Sequence, residues 1–143
     1  MAAEIVVAPS LSSVTRESLK NCVVLEGDGK YWFLYWYFEA ANLPPKEHEL
    51  IDLYSDSEIS GHQLDRLIEK LNEARGDTVN KPERWEVVTG WNTSTISKET
   101  EIRSSVERVD MIVLIVLIVL IDRLLSLANE ARERGLKLVS IGD

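Results

Sequence analysis

Residues 31–38 form an almost continuous run of aromatic side chains, and any fold of this chain has to bury most of them. Seven of the ten aromatic residues in the 143-residue sequence fall within these eight positions, YWFLYWYF. In an extended strand, successive side chains point to opposite faces of a sheet. The even positions would then form one apolar face, made of Trp32, Leu34, Trp36 and Phe38. The run therefore predicts a strand in the interior of a sheet, covered on both faces.

Turn signals divide the first half of the chain into short strands. The glycine-rich stretch 26–29 (EGDG) lies between 21–25 and 30–39, and its composition predicts a β-hairpin that joins these two segments. A proline pair at 44–45 breaks the chain. Residues 49–54 (ELIDLY) then predict a third strand.

A helix follows, with a start signal and a stop signal around it. Ser60 and Gln63 have the spacing of a capping box, and apolar residues recur at the helical period up to Gly76. Residues 84–91 (RWEVVTGW) alternate as a strand, and the Ser- and Thr-rich stretch 92–100 predicts an exposed loop.

Eleven consecutive apolar residues occupy positions 111–121 (MIVLIVLIVLI). A membrane span needs about 20 apolar residues, so this run is too short for one. Its Ile and Val content favours a strand, but no turn separates it from the helical pattern that follows. We therefore expect one long helix over 106–134, buried all round in its first half, with Gly135 as its stop and a last strand at 136–141.

Residues 65–75 (DRLIEKLNEAR) and 122–132 (DRLLSLANEAR) match at seven of eleven positions. The match fits either a duplicated helix–strand unit or two amphipathic helices of ordinary composition. In both cases the element order predicts an α+β fold, with a mostly antiparallel sheet of about five strands and two main helices packed on it. We expect a single domain over 1–143, in which residues 1–20 leave room for a short helix.

Charge and cysteine content narrow the class of ligand and the compartment. The sequence has 24 acidic and 16 basic residues, a net charge of −8. This balance argues against nucleic acid as the main ligand, because phosphate binding requires a basic surface. The single cysteine, Cys22, cannot form an internal disulfide, and the N-terminus lacks the pattern of a secretory signal. We expect a cytoplasmic protein.

No arrangement of catalytic or metal-ligating residues stands out. His48 and His62 flank the 49–54 segment among several acids, but without the spacing of a metal motif such as H-E-x-x-H. Carboxylate pairs arise by chance in so acidic a chain, and no G-x-S-x-G nucleophile elbow is present. We therefore expect no metal, no cofactor and no catalytic residue, and a small enzyme is the least favoured alternative.

Residues 47–58, the acidic segment, carry the strongest functional signal. The segment holds five acids and no Lys or Arg. Beside a tyrosine-rich strand it fits a surface for a basic protein, because charges speed association and aromatic side chains anchor a complex. The alternative is a solvated loop whose acidic side chains simply face water. The candidate partner-binding residues are Glu47, Glu49, Asp52, Asp56, Glu58, Tyr35 and Tyr37. Such a surface requires an extended 31–38 and solvent-facing acids.

The aromatic run YWFLYWYF, the segment WEVVTGW and the C-terminal GLKLVSIGD together resemble the bacterial immunity proteins of polymorphic and contact-dependent toxin systems. The resemblance implies a cytoplasmic inhibitor that binds a toxin domain, often a basic nuclease, and blocks its active site. It is one of overall character, so it transfers no binding residue by position. A homo-oligomeric protein that associates through the apolar 111–121 helix is the main alternative.

Overall fold

The computed structural model describes the backbone of residues 1–97 and 102–143, and the side chains of residues 1–89 and 108–143. In chain order the elements are β1 (Ala2–Ala8), α1 (Arg16–Leu19), β2 (Val23–Glu26), α2 (Gly29–Ala41), β3 (Ser57–Ile59), α3 (Gly61–Thr78), β4 (Arg84–Ser97), β5 (Ile102–Val113), α4 (Leu114–Arg134) and β6 (Lys137–Gly142). A short 3-10 turn, Leu11–Ser13, precedes α1. The fold is α+β, which confirms the predicted class.

Four strands form an antiparallel sheet in the order β2-β1-β6-β3. β1 pairs with β2 at Ile5 and Val23, and with β6 at Val7 and Leu138. β4 and β5 form a separate antiparallel ribbon of two strands. The predicted sheet is thus divided in two, and β1, which carried no strand prediction, lies inside the larger part.

α2 and α4 cover one face of the four-stranded sheet, and α3 packs on both of these helices. α4 contacts β1 and β6, while α2 contacts β2 and the ribbon. Fully buried side chains from both layers meet between them, among them Ile5, Leu25, Leu34, Leu67 and Ile121. Apolar burial contributes about 25 cal/mol per Å², so this layer is the main source of stability.

α3 and α4 carry the two similar segments, and they run antiparallel with an ion pair at each end. Arg75 Nε lies 2.6 Å from Asp122 Oδ1, and Arg132 Nη1 lies 4.0 Å from Asp65 Oδ1. Each Asp opens its segment and each Arg closes it, so the shared pattern serves the packing of the two helices. The strands that follow the helices lie in different sheets.

The strand prediction for residues 31–38 is wrong, because these residues form the middle of α2. Asp28 is the N-cap of this helix and accepts a hydrogen bond from Lys30 N at 3.0 Å. Asp110 Oδ2, on β5, accepts a second hydrogen bond from Gly29 N at 2.7 Å. The two carboxylates satisfy backbone donors that a helix start leaves without partners. The EGDG stretch therefore leads into a helix, and only β2 of the predicted hairpin is a strand.

Three further predictions in the middle of the chain need correction. Residues 49–54 form no strand, and the nearest strand is β3. α3 continues through Gly76 to Thr78, whose buried hydroxyl donates a hydrogen bond to Ala74 O at 2.6 Å. β4 extends over 92–97, where a loop was predicted, and positions 98–100 of that loop lie outside the described residues.

The predicted helix over 106–134 is also wrong at its start, because residues up to Val113 belong to β5. The chain passes from strand to helix with no connecting residue. Leu114 N donates a hydrogen bond to Glu83 O at 2.8 Å, which carries the ribbon pairing into the first helical residue. The β-branched composition of the run is therefore expressed as a strand for its first three residues and as a helix thereafter.

The first half of α4 is not buried all round, contrary to prediction. Ile115 is 64 % exposed and Val119 is 50 % exposed. The end of the helix is as predicted: Gly135 has a φ of 64°, a left-handed conformation that glycine adopts without strain, and β6 follows it.

We predict that Asp110→Ala lowers the free energy of unfolding by about 1–2 kcal/mol, because Gly29 N loses its acceptor at the start of α2. Urea unfolding followed by circular dichroism measures this change. Glu86→Ala is the control, since Glu86 is an exposed acid on the neighbouring strand, and it should cost less than about 0.5 kcal/mol. Equal costs for the two variants would contradict the capping role of Asp110.

Candidate functional site

The acidic segment follows α2 and is held against the core although it has no regular secondary structure before β3. Its apolar side chains Leu50, Ile51 and Leu53 are buried. Tyr31, in the first turn of α2, is 2 % exposed, and its hydroxyl donates a hydrogen bond to Ile51 O at 2.9 Å. The aromatic run therefore anchors the acidic segment through a buried tyrosine.

Contacts with the end of the chain hold the same segment from the other side. Asp143 N donates a hydrogen bond to Leu53 O at 2.9 Å. A Cβ atom at Gly142 would overlap the backbone of Tyr54 and Ser55, so only glycine allows this close approach. The acids of the segment are thus presented on a surface that α2 and the end of β6 support.

Two of the five candidate acids form hydrogen bonds or a salt bridge with other elements of the fold. Glu58 accepts a hydrogen bond from Leu11 N at 3.2 Å and forms a salt bridge with Lys137 Nζ at 3.1 Å. The hydrogen bond from Lys137 lowers the pKa of Glu58. Asp56 Oδ1 accepts a hydrogen bond from Gly142 N at 3.1 Å. These two carboxylates connect the acidic segment to neighbouring elements.

The other three candidate acids have no cationic partner among the residues that the structure describes. Asp52 holds a turn, because its two oxygens accept hydrogen bonds from Tyr54 N and Ser55 Oγ, both at 2.9 Å. Glu47 and Glu49 are exposed acids without an ion pair to a described residue, while Asp52 is half-buried.

The helix separates the two candidate tyrosines. The Tyr35 hydroxyl donates a hydrogen bond to Glu49 Oε1 at 3.2 Å, which brings these two candidates together. The Tyr37 hydroxyl donates instead to Asp77 Oδ2 at 2.6 Å, near the end of α3. Residues two apart differ by about 200° around a helix axis, so α2 cannot present both rings on one face. The surface expected on an extended 31–38 is therefore replaced by one built on a helix.

Tyr31, Trp32 and the acidic segment border a groove of about 500 Å³, which we call the α2 groove. Its other walls come from Met1 and Gly27 and, on the ribbon, from Thr89 and Arg108. Burial, followed by the charges of Glu49 and Asp52, raises the pKa of Tyr31 far above its ordinary value. Burial and Glu49 also raise the pKa of Tyr35. Burial is the larger cause of both shifts, and Glu49 contributes to each of them.

Sequence reasoning missed Trp36, because a strand would bury it. In the structure Trp36 is 72 % exposed, and its ring centroid lies 5.3 Å from that of Tyr35. Its exposure follows from the helical spacing of the residues that α2 buries in the structure, which are Gly29, Tyr31, Leu34, Phe38 and Ala41. This spacing leaves position 36 on the solvent side.

Two further findings concern metals and membranes. The described side chains include no group of three or more residues that could hold a metal ion, and His48 and His62 are both exposed. Within residues 1–97 and 102–143, none of the helices combines the length and the apolar character that a membrane crossing needs.

Comparison of the chain with protein-family models, with curated proteins and with solved structures finds no match.

We predict that Tyr31→Phe lowers the free energy of unfolding at pH 7 by about 1–3 kcal/mol, because the buried carbonyl of Ile51 loses its donor. It should also flatten the loss of stability above about pH 10. The raised pKa of Tyr31 means that the unfolded chain ionises first, so the folded state loses stability as the pH rises. Urea unfolding at neutral and alkaline pH measures both effects.

Tyr35→Phe is the matched control, since its hydroxyl bonds to the exposed Glu49. It should cost less than about 0.5 kcal/mol at pH 7. If Tyr35→Phe proved as costly as Tyr31→Phe, the buried hydrogen bond to Ile51 would not be the anchor of the acidic segment.

Proposed function

We propose that this chain is a non-catalytic protein-binding domain that neutralises a toxin by direct binding, in the manner of bacterial immunity proteins. Its partner would be a basic toxin domain, and the site of action would be the bacterial cytoplasm. The acidic composition of the chain, with a net charge of −8, is consistent with a basic partner.

One surface feature supports this proposal above the others. Glu47, Glu49, Tyr35 and Trp36 form what we call the acidic–aromatic surface. Tyr35 links its two parts, because its hydroxyl bonds to Glu49 and its ring contacts Trp36. Lys46 precedes the acids, but its ammonium group donates to Glu39 O at 3.1 Å, at the end of α2. Unpaired acids and an exposed tryptophan are therefore neighbours.

The two parts of this surface have different physical effects on binding. Uncompensated carboxylates attract a basic protein over distances of about 10 Å and so raise its association rate. An exposed tryptophan contributes affinity, because aromatic anchors at the centre of an interface slow dissociation. A nuclease that binds phosphates needs a basic active site. An acidic surface would compete for that site and block it.

We predict that Glu47→Lys combined with Glu49→Lys slows association with the proposed basic toxin domain by on the order of tenfold at low salt. The difference should shrink at high salt, because ions screen exposed charges. Trp36→Ala in the otherwise unchanged chain should mainly raise the dissociation rate. Surface plasmon resonance at two salt concentrations measures both rates.

Glu133→Lys in one arm provides the control for charge, because Glu133 is an exposed acid near the end of α4 and far along the chain from the acidic segment. It should leave the association rate close to that of the unchanged chain. If Glu133→Lys slowed association as much per substituted residue as the double variant, net charge alone would guide binding. Failure of the unchanged chain to bind or neutralise the toxin domain would contradict the proposal.

Self-association is a second candidate function, which an exposed apolar surface favours. Six side chains on the ribbon and on the first turns of α4 are each 42–64 % exposed: Val88, Val109, Met111, Ile115, Val116 and Val119. Val88 and Val109 are direct cross-strand partners. Large exposed apolar surfaces mark contact sites, and a second copy would offer the same surface across a two-fold axis.

If the chain self-associates through this surface, Val119→Glu should convert the dimer to a monomer, because a charge would be buried without a partner. Val79→Glu is the matched control, since Val79 is also 50 % exposed but follows α3. Light scattering over a series of micromolar concentrations measures the mass. A monomer at every concentration of the unchanged chain would exclude this second function.

A further inference from the structure

We propose that the α2 groove binds an arginine side chain of the partner, an inference that rests on the proposed function and specifies what the partner presents. Glu49 and Asp52 border the groove together with the rings of Trp32 and Tyr54. A guanidinium group can form paired hydrogen bonds with a carboxylate and stack on an aromatic ring at the same time. The groove offers both kinds of contact in one cavity.

The two carboxylates accept hydrogen bonds only from neutral donors in the part of the chain that the structure describes. Glu49 accepts one from the Tyr35 hydroxyl, and Asp52 accepts one on each oxygen. An ionised carboxylate has about four acceptor positions, so both groups keep acceptor capacity. Neither is in a salt bridge with a described residue. A cation entering the groove would meet two carboxylates that have no salt-bridge partner among the described residues, as well as the guanidinium group of Arg108.

The aromatic rings beside these acids are held in place by one another. The Trp32 ring packs against both Tyr31 and Tyr35, with ring centroids 5.3 Å and 5.5 Å away. Tyr31 is itself fixed by its hydrogen bond to Ile51 O. Tyr54 is 66 % exposed at the rim. A cation placed within about 6 Å of such a ring face is attracted by the ring electrons.

Arg108 lines the groove from the ribbon side and carries the opposite charge. Its backbone carbonyl accepts a hydrogen bond from Thr89 Oγ1 at 3.2 Å, across the ribbon. Its side chain forms no salt bridge with Glu49 or Asp52 among the described contacts. Arg108 therefore repels an incoming cation while the two acids attract it. Neutralising Glu49 or Asp52 should therefore weaken binding of a cation, whereas neutralising Arg108 should strengthen it.

The chemistry of the groove favours arginine over lysine. A volume of about 500 Å³ accommodates a long side chain and falls within the range of about 300–1,000 Å³ that small-ligand sites occupy. The guanidinium group is planar, carries five donors and is more weakly hydrated than an ammonium group. It therefore loses less when it leaves water to stack on Trp32. Lysine would supply the charge without the stacking plane.

The test uses the ¹⁵N-labelled full chain, titrated with N-acetyl-arginine amide and followed by NMR. We expect the Trp32 indole N–H and Tyr54 amide signals to shift at millimolar probe concentrations. N-acetyl-lysine amide should bind at least about threefold more weakly, because it lacks the planar group. N-acetyl-citrulline amide has nearly the same shape without the charge and should cause no shift.

Two variants separate specific binding from misfolding. Glu49→Gln should weaken binding of the arginine probe by about fivefold, and Arg108→Gln should strengthen it by about two- to threefold. Glu133→Gln is the matched control and should leave the affinity unchanged. Weaker binding in both Glu49→Gln and Arg108→Gln, equal shifts with the citrulline probe, or no response at Trp32 would each overturn the inference.

The probe experiment needs no toxin, so its failure is distinguishable from failure of the proposed function. Binding of the toxin domain through Glu47 and Glu49, without any response of Trp32 to the arginine probe, would overturn the arginine inference and leave the proposed function standing. A response of Trp32 to the probe without binding of the toxin domain would support the arginine site. It would contradict the proposal that a toxin domain supplies the arginine.

Discussion

Two carboxylates at the start of α2 are the contact on which the rest of the structure depends. Asp28 comes from the preceding turn and Asp110 from the ribbon, and each accepts a hydrogen bond from one of the first N–H groups of the helix. Their charge also suits the positive end of the helix dipole. Asp110 lies 81 residues beyond Gly29, so the same contact attaches the ribbon to the helix. The helical winding that begins there turns Tyr31 into the core and Trp36 towards solvent.

The parts of the fold that the sequence predicts correctly are those with clear periodicity or a clear stop. α3 has a regular apolar period, and Gly135 ends α4 with the left-handed conformation that its position indicates. Residues 31–38 mislead because aromatic side chains favour strands and the run is apolar at every position, so neither period dominates. The cap from Asp110 and the packing of α2 on α3, β2 and the ribbon favour the helix, and no local pattern reveals contacts so distant in sequence.

The candidate site shows the same division. That Glu47 and Glu49 face solvent follows from their place in a polar segment. Which of the five acids are already bonded could not be predicted, because the donors lie far away: Leu11 and Lys137 bind Glu58, and Gly142 binds Asp56. The hydrogen bond between Tyr35 and Glu49 depends on the helix. The same helix directs the Tyr37 hydroxyl to Asp77 instead. Because residues 31–38 follow the helical period and not the predicted strand period, different aromatic rings lie beside the acids.

Proton–proton distances measured by NMR on the free chain test the helical winding of residues 29–41 most directly. If α2 is formed as described, the amide protons of neighbouring residues should be close to each other throughout the segment. Each residue i should also show proton contacts with residue i+3. The rings of Phe33 and Trp85, whose centroids are 5.8 Å apart, should also be in contact. Strong Hα-to-amide contacts along 31–38, with cross-strand contacts to 21–25, would instead show an extended strand. That result would contradict α2, the groove and the acidic–aromatic surface together.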